Sequence, residues 1–142
     1  MDSTDIKILK ILQTDARISM KKLGEIVNLT SPAVTERVRK LEEAGVIKNY
    51  ITIIDPNKIN KNIQAFITLT INSINYSKFS EYAPTNPNIT ECHHITGGDC
   101  MIIKVMVPNM EDLEILIHDL KRFGNTQTNL ILSTPFMRKL NL

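Results

Sequence analysis

The sequence predicts an α+β protein in which a helical N-terminal domain precedes a domain of alternating strands and helices. Two observations carry this prediction. Three segments within the first 50 residues have apolar residues at helical spacing, and four β-rich runs with two helical segments among them follow residue 62. A polar stretch, DPNKINKN, separates the two patterns. The predicted organisation is residues 1–55 for the first domain, 56–62 for a linker and 63–142 for the second domain.

The composition is that of an ordinary globular protein. The chain has 142 residues, of which 42% are hydrophobic and 23% are charged. Its start, MDSTDIKILK, lacks the basic and apolar regions of a secretory signal, and no apolar run approaches the roughly 20 residues that cross a bilayer. We therefore expect a cytoplasmic protein with no membrane partner. Cys92 and Cys100 form no CxxC pair and are expected to be free thiols.

The first two helices are predicted from apolar spacing and a cap residue. The first helix has one apolar stripe, formed by Ile8, Leu9, Leu12 and Ala16. Ser19 is the expected N-cap of the second helix, because its hydroxyl can accept a hydrogen bond from the first turn. The core face of that second helix is expected to consist of Leu23, Ile26 and Val27.

A third helix is predicted within the stretch SPAVTERVRKLEEAG. Its apolar stripe consists of Val34, Val38 and Leu41. Gly45 is expected to end the helix as a left-handed residue. Two N-terminal caps fit the sequence: Thr30, which makes Leu29 and Val34 an apolar staple, or Ser31, which puts Pro32 at the first helical position. The sequence leaves both caps open.

The residues after the third helix are predicted to be extended. The stretch VIKNYITII (46–54) is rich in β-branched residues and ends at an Asp-Pro turn signal, so it is predicted to be a strand. Three helices, a three-residue turn between the second and third, and a following strand make a winged helix-turn-helix domain. The small positive charge also lies here, with nine basic and seven acidic residues in the first 50 and eight of each in the remainder.

The predicted interface with double-stranded DNA is the outer face of the third helix, since the second helix of such a pair enters the major groove. Residues that face away from the stripe and can reach bases are Pro32, Ala33, Thr35, Glu36 and Arg39. Thr30 and Ser31 complete this surface at the helix start. Phosphate contacts position a protein on DNA but do not read its sequence. The basic residues expected to make such contacts are Arg17, Lys21, Lys22 and Lys40. Arg37 lies close to the stripe, so a phosphate contact and an internal contact, to Glu25 or a second-helix carbonyl, are both open.

The second half is predicted to be a ferredoxin-like βαββαβ domain. Strands are expected at 63–71, 89–95, 100–107 and 126–133. Helices are expected at 75–83 and 109–124. Asn109 caps the last helix, Gly124 is expected to end it, and Thr96-Gly97-Gly98-Asp99 forms a hairpin turn between the second and third strands.

One face of this predicted sheet has no helix to cover it. Four strands and two helices leave a face that carries Phe66, Ile102 and Met106 or their neighbours. A half-covered apolar sheet needs a partner, and a second copy of the chain is the simplest one.

Two long stretches resemble a known family. The N-terminal stretch LQTDARISMKKLGEIVNLTSPAVTERVRKLEEAGVIKNYITIIDP closely resembles the DNA-binding domain of Lrp/AsnC transcriptional regulators. The second half, with TECHHITG before the hairpin and NTQTNLIL at the last strand, resembles that family's effector domain. The resemblance implies a cytoplasmic bacterial or archaeal regulator that dimerises through its sheets and assembles further, commonly into octamers. It also implies an amino-acid effector near the loop between the second and third sheet strands, and no other cofactor.

The effector loop departs from the pattern of the family it resembles. Family members follow Thr-Gly or Ser-Gly with any residue, an aromatic residue and an aspartate. Here Thr96, Gly97 and Gly98 are followed by Asp99 in the aromatic place and Cys100 in the aspartate place. A thiol is a poor acceptor for an α-amino group. Either the loop shifts so that Asp99 replaces the aspartate, or the effector response is reduced or altered.

Other classes of function are less well supported by the sequence. Strand alternation sends Cys92 and His94 to one side and His93 and Cys100 to the other, so no metal site is predicted. No nucleophile–base pair or phosphate-cradling loop is present, so the chain is not predicted to be an enzyme. The remaining alternative is an architectural protein that wraps DNA with little effector response.

Overall fold

The computed structural model describes residues 1–97 and 100–136, with only the backbone at residue 100. The described chain forms two compact units, Met1–Ile53 and a second unit that begins at Ile54. No helix among these residues has the length and apolar character to cross a membrane.

The N-terminal unit consists of three helices, α1 (Ser3–Thr14), α2 (Met20–Val27) and α3 (Ser31–Glu43). A capping box begins α1, in which the side chains of Asp2 and Asp5 each accept a hydrogen bond from the other's backbone N–H at 2.9 and 2.8 Å. These bonds satisfy amide groups that the first turn of a helix leaves without partners.

The caps of α2 and α3 place the two helices of the predicted pair. Ser19 accepts a hydrogen bond from the N–H of Lys22 at 3.2 Å, which confirms it as the N-cap of α2. Thr30 accepts from the N–H of Ala33 at 3.4 Å and is extended, so it is the N-cap of α3 and Ser31 is the first helical residue. The structure therefore selects the first of the two caps that the sequence leaves open.

The three helices share one apolar core, which consists of Ile8, Leu9, Leu12, Leu23, Val27, Val34, Val38 and Leu41. Two predicted members were wrong. Ala16 is exposed because α1 ends before it, at Thr14. Ile26 is 50% exposed because the buried side of α2 consists of Leu23, Gly24 and Val27.

The strand predicted over residues 46–54 was wrong, although Gly45 does end the third helical region with a φ of +68°. These residues belong to no strand, because no strand in the described chain pairs with them. Tyr50 instead donates its hydroxyl to Glu42 at 2.8 Å, while Ile51 and Ile53 remain exposed. β-branched composition favours extension, but a strand also requires a partner.

The second unit has the predicted βαββαβ order. Its elements are β1 (Ile63–Ile71), α4 (Ser73–Tyr82), β2 (Ile89–Ile95), β3 (Cys100–Val107), α5 (Met110–Lys121) and β4 (Gly124–Leu130), with short 3-10 turns at Pro56–Ile59 and Ala83–Thr85. The antiparallel sheet has the order β2-β3-β1-β4. The α+β fold class is thus confirmed.

Alternation along the two central strands builds the core of this unit. The residues that face the helices are Ala65, Ile67, Leu69 and Ile71 on β1 and Met101, Ile103, Val105 and Val107 on β3. Phe79 of α4 and Leu113, Leu116 and Leu120 of α5 cover them. This packing fixes which side of each strand remains uncovered.

Gly124 begins β4 and does not end α5, so the prediction that it stops the helix was wrong. α5 ends at Lys121, and Gly124 has no positive φ. A Cβ on this residue would lie 2.0 Å from the carbonyl oxygen of Thr70 on β1. The glycine is therefore required by the close approach of two strands rather than by a helix end.

The predicted uncovered sheet face is present. Phe66 is 41% exposed, and Ile102 and Met106 are half-buried on the side of the sheet opposite the helices. On the same face, Lys104 donates to Glu91 of β2 at 3.3 Å. The face is thus apolar along its centre, with an ion pair toward the β2 edge.

Candidate nucleic-acid interface and effector loop

The turn between α2 and α3 is held by a close backbone approach. The N–H of Leu29 donates to the carbonyl of Gly24 at 2.9 Å, and Asn28 adopts a left-handed φ of 57°. A Cβ on Gly24 would lie 2.6 Å from the carbonyl oxygen of Leu29. Gly24 therefore fixes where α3 begins. The sequence signal that could have identified it is a lone glycine inside a helical pattern.

The outer face of α3 presents the residues that the sequence predicts for base contact. Pro32, Ala33, Thr35, Glu36 and Arg39 are all exposed, on the side opposite the buried valines. The hydroxyl of Thr35 donates to the carbonyl of Ser31 at 2.8 Å, so it presents acceptor lone pairs and a methyl group outward. The structure thus places small and apolar groups beside charged ones at the start of the helix.

The charged groups of this face are bound to one another. Glu36 accepts from Nε and Nη2 of Arg39 at 2.9 and 2.6 Å and lies 3.7 Å from Nζ of Lys40. Arg39 also donates through Nη1 to Glu43. The hydrogen bonds from Arg39 hold the pKa of the Glu36 carboxyl below its usual value, and the same bonds raise the pKa of Arg39.

Arg37 lies on the other side of α3 and contacts α1. Its Nη1 atom donates to Asp2 and to Asp5, at 2.7 Å each. The backbone N–H of Asp5 and then the guanidinium of Arg37 lower the pKa of the Asp2 carboxyl. The internal partner that the sequence suggests, Glu25, is instead paired with Lys22 at 3.3 Å. Arg37 therefore ties α3 to the first turn of α1.

Three of the predicted phosphate contacts lie near the start of α2, and the fourth, Lys40, lies on α3 beside Glu36. Arg17, Lys21 and Lys22 are exposed, and Lys22 is the member of this group with a carboxylate partner. Within residues 1–97 and 100–136, Arg17 and Lys21 form no ion pair. These two cations are thus available to phosphates without the loss of an internal bond.

The effector loop is only partly within the described chain. Thr96 and Gly97 are described, and Gly97 has a φ of +114°, which glycine adopts without strain. Of the remaining predicted effector residues, Gly98, Asp99 and the side chain of Cys100 lie outside the described residues. The strands that flank the loop pair Ile95 with Cys100 and His94 with Met101, which is the register expected from a turn at Gly97-Gly98.

The neighbouring side chains of β2 point alternately to the two faces of the sheet. Cys92 and His94 lie on the helix-covered side, where the His94 ring is 5.5 Å from that of Tyr76 and partial burial raises the pKa of the Cys92 thiol. His93 lies on the uncovered side, 3.7 Å from Glu91. In the part of the chain that is described, no three His, Cys, Asp or Glu residues converge as metal ligands.

Comparison with known proteins covers both units. Residues 1–48 match the family model described as "Winged helix-turn-helix DNA-binding", and residues 64–140 match "Lrp/AsnC ligand binding domain". The HTH-type transcriptional regulator LrpC of Bacillus subtilis (strain 168) is 35% identical, over 94% of this chain and 92% of that protein. The regulator FL11 of Pyrococcus horikoshii is 34% identical, over 94% and 91% of the two chains.

Solved structures give the same correspondence. The structure of B. subtilis LrpC matches with a TM-score of 0.91 and 33% identity, over 97% of this chain and 99% of that one. The complex of transcriptional regulator NMB0573 from Neisseria meningitidis with L-Met matches with a TM-score of 0.91 and 26% identity, over 96% and 93% of the two chains.

Proposed function

The chain belongs to the Lrp/AsnC family of transcriptional regulators, and we propose that it regulates transcription by inserting the outer face of α3 into the DNA major groove. The observation that carries this proposal is the exposed start of α3, fixed by the Thr30 cap and the tight turn at Gly24. Membership of a DNA-binding family also supports action in the cytoplasm, where bacterial and archaeal DNA lies.

Each part of the interface has a proposed role. Residues that meet base edges are Pro32, Ala33, Thr35, Glu36 and Arg39, with Thr30 and Ser31 at the helix start. Residues that contact phosphates are Arg17, Lys21, Lys22 and Lys40. Arg37 is proposed as a positioning residue instead, because both of its contacts are to Asp2 and Asp5 of α1.

The proposed assembly is a homodimer formed through the uncovered sheet face. Phe66, Ile102 and Met106 provide an apolar centre, and an isologous interface needs only one such patch. A dimer carries two copies of α3, and helix-turn-helix dimers recognise symmetric sites with one helix for each half-site. The resemblance to the family extends the proposal to octamers built from these dimers.

The proposed effector is an amino acid, with a reduced or altered response. By its resemblance to the family pattern, Cys100 stands in the place of an aspartate, and glycines at 97 and 98 permit a backbone shift that would bring Asp99 into that place. Calorimetry with a panel of amino acids that includes methionine, on the wild type and Asp99→Ala, tests this proposal. We expect weak binding that the variant abolishes. Tight binding of an ordinary amino acid that Asp99→Ala leaves unchanged would contradict it.

The function itself is tested by selection of bound duplexes from a random DNA pool, with light scattering on the same protein. We expect enrichment of a symmetric sequence by a dimer or a larger even assembly. Failure to enrich or bind any DNA at low salt would refute the proposal.

An architectural role is the second candidate, and the start of α3 favours it, because the exposed Pro32 and Ala33 offer no hydrogen bonds to base edges. Footprinting separates the two functions. One short protected site supports a local switch, whereas phased protection over many helical turns supports wrapping.

A further inference from the structure

The outer face of α3 carries equal numbers of positive and negative groups that are joined in one cluster. Glu36 accepts two hydrogen bonds from Arg39 and lies 3.7 Å from Nζ of Lys40. Glu43 accepts a further hydrogen bond from Arg39. Each of these side chains is about half exposed or more, so the cluster lies on the surface. The two acids of the cluster therefore balance its two cations on the face proposed to meet DNA.

This neutrality has a consequence for binding to the DNA backbone. Nonspecific affinity comes from cations that replace the counterions of phosphates, and a guanidinium bound to a carboxylate must first lose that bond. The carboxylate of Glu36 also repels any phosphate placed against the same face. Among the described residues, Arg17 and Lys21, near the start of α2, have no ion pair to lose before they contact a phosphate.

We propose that Glu36 is a specificity-determining residue that withholds Arg39 and Lys40 from the DNA backbone until a matching sequence opens the cluster and lets Lys40 reach a phosphate. The face binds well only where base edges supply hydrogen bonds to replace the ion pairs. In other sequences the pattern of donors and acceptors on the base edges does not match these side chains, so the ion pairs of the cluster remain formed. This inference rests on the proposed insertion of α3 and adds the reason why binding depends on sequence.

Glu43 provides a matched control within the same cluster. It also binds Arg39 and lies on the same face, but it is the last residue of α3, seven positions after Glu36. At about 1.5 Å per residue this is roughly 10 Å farther along the helix, away from the end that enters the groove. Substitution of either acid by glutamine removes one negative charge and keeps a good helix former.

The test compares wild type, Glu36→Gln and Glu43→Gln on two labelled duplexes of equal length. One duplex is enriched by the wild-type protein from a random pool, and the other has a random sequence. Affinities are measured by fluorescence anisotropy at several salt concentrations, with thermal unfolding to establish that the variants fold.

We expect Glu36→Gln to bind the random duplex about threefold more tightly or better at low salt, with a salt slope steeper by about 0.9 for each freed cation. Its preference for the enriched duplex falls by at least the same factor. Glu43→Gln changes this preference less than about twofold. The double variant Glu36→Gln/Arg39→Gln loses most of the gain in random-duplex affinity, because the guanidinium, which Glu36 binds through two hydrogen bonds, is its main source.

The inference is overturned if Glu36→Gln keeps the wild-type preference, or if Glu43→Gln reduces it equally. The first result leaves Glu36 without a role in selectivity, and the second makes net charge the cause. A wild-type protein that enriches no DNA refutes the proposed function itself, which distinguishes that failure from the failure of this inference alone.

Discussion

Replacement of Gly24 by alanine tests whether the α2–α3 turn sets the position of the DNA-reading helix. The new Cβ would lie 2.6 Å from the carbonyl oxygen of Leu29, whereas a carbon and a carbonyl oxygen normally approach to about 3.4 Å. The turn must therefore move by about 0.8 Å at a point two residues before Ser31, where α3 begins. A backbone carbonyl cannot rotate away as a side chain can.

The expected cost follows from these distances. Overpacking against fixed backbone costs about 3 kcal/mol, and alanine recovers about 1 kcal/mol through its greater helix propensity. The net loss of about 2 kcal/mol corresponds to a fall in melting temperature on the order of 10 °C for a unit of this size. Because the displaced residues lead into α3, we also expect a loss of DNA affinity of about tenfold or more.

Gly45→Ala is the matched control. Gly45 has a φ of +68°, but a Cβ on this residue would have none of the described atoms within 4 Å. The substitution therefore costs about 1 kcal/mol through backbone conformation alone. Circular dichroism during thermal unfolding and anisotropy on an enriched duplex measure both effects. Wild-type stability and affinity in Gly24→Ala would refute the reasoning, as would equal effects of the two substitutions.

Three further predictions address the rest of the chain. Phe66→Glu is expected to convert the dimer to a monomer in light scattering, whereas Ile74→Glu, on an exposed residue of α4, leaves it a dimer. The pKa of the Asp2 carboxyl is lowered in the folded state, so its contribution to stability is complete above the usual value of 3.8 and is lost as pH falls below it. Melting temperatures measured from about pH 6 to about pH 2.5 should therefore fall less in Asp2→Asn than in the wild type. Gly124→Ala is expected to destabilise the second unit more than Gly24→Ala destabilises the first, as measured by hydrogen exchange, because its Cβ would lie 2.0 Å from the Thr70 carbonyl oxygen.

Local features of the fold can be predicted from the sequence because neighbouring residues determine them. The sequence predicts Ser19 and Asn109 as caps, and each accepts the expected hydrogen bond from the first turn of its helix. The register of the β2–β3 hairpin follows from a turn at two glycines and is confirmed by the pairing of Ile95 with Cys100.

Features that depend on distant residues could not be predicted in this way. Arg37 binds Asp2 and Asp5, which lie 35 and 32 positions before it, and no local pattern identifies such partners. The roles of Gly24 and Gly124 arise from close approaches to carbonyl groups elsewhere in the chain. The strand predicted after Gly45 failed for the same reason, since composition cannot supply a pairing partner.

The candidate DNA surface shows both what the sequence can predict and what it cannot. Its exposed residues follow from the helical wheel, because Val34, Val38 and Leu41 define the buried side. The ion pairs that these charged side chains form with one another do not follow from the wheel. The wheel predicts base contact for Arg39, and only the structure shows that Glu36 and Glu43 both bind it.

The central claim, that the start of α3 meets DNA, is tested most directly by the affinity of Ala33→Glu for a duplex enriched by the wild type. Ala33 is exposed in the first turn of α3, where a glutamate is compatible with the helix, and the new carboxylate would face the bases. Gln13→Glu, at an exposed position of α1, makes the same charge change elsewhere in the unit. We predict a loss of about tenfold or more for Ala33→Glu and less than about twofold for Gln13→Glu. Wild-type affinity in Ala33→Glu would contradict the claim.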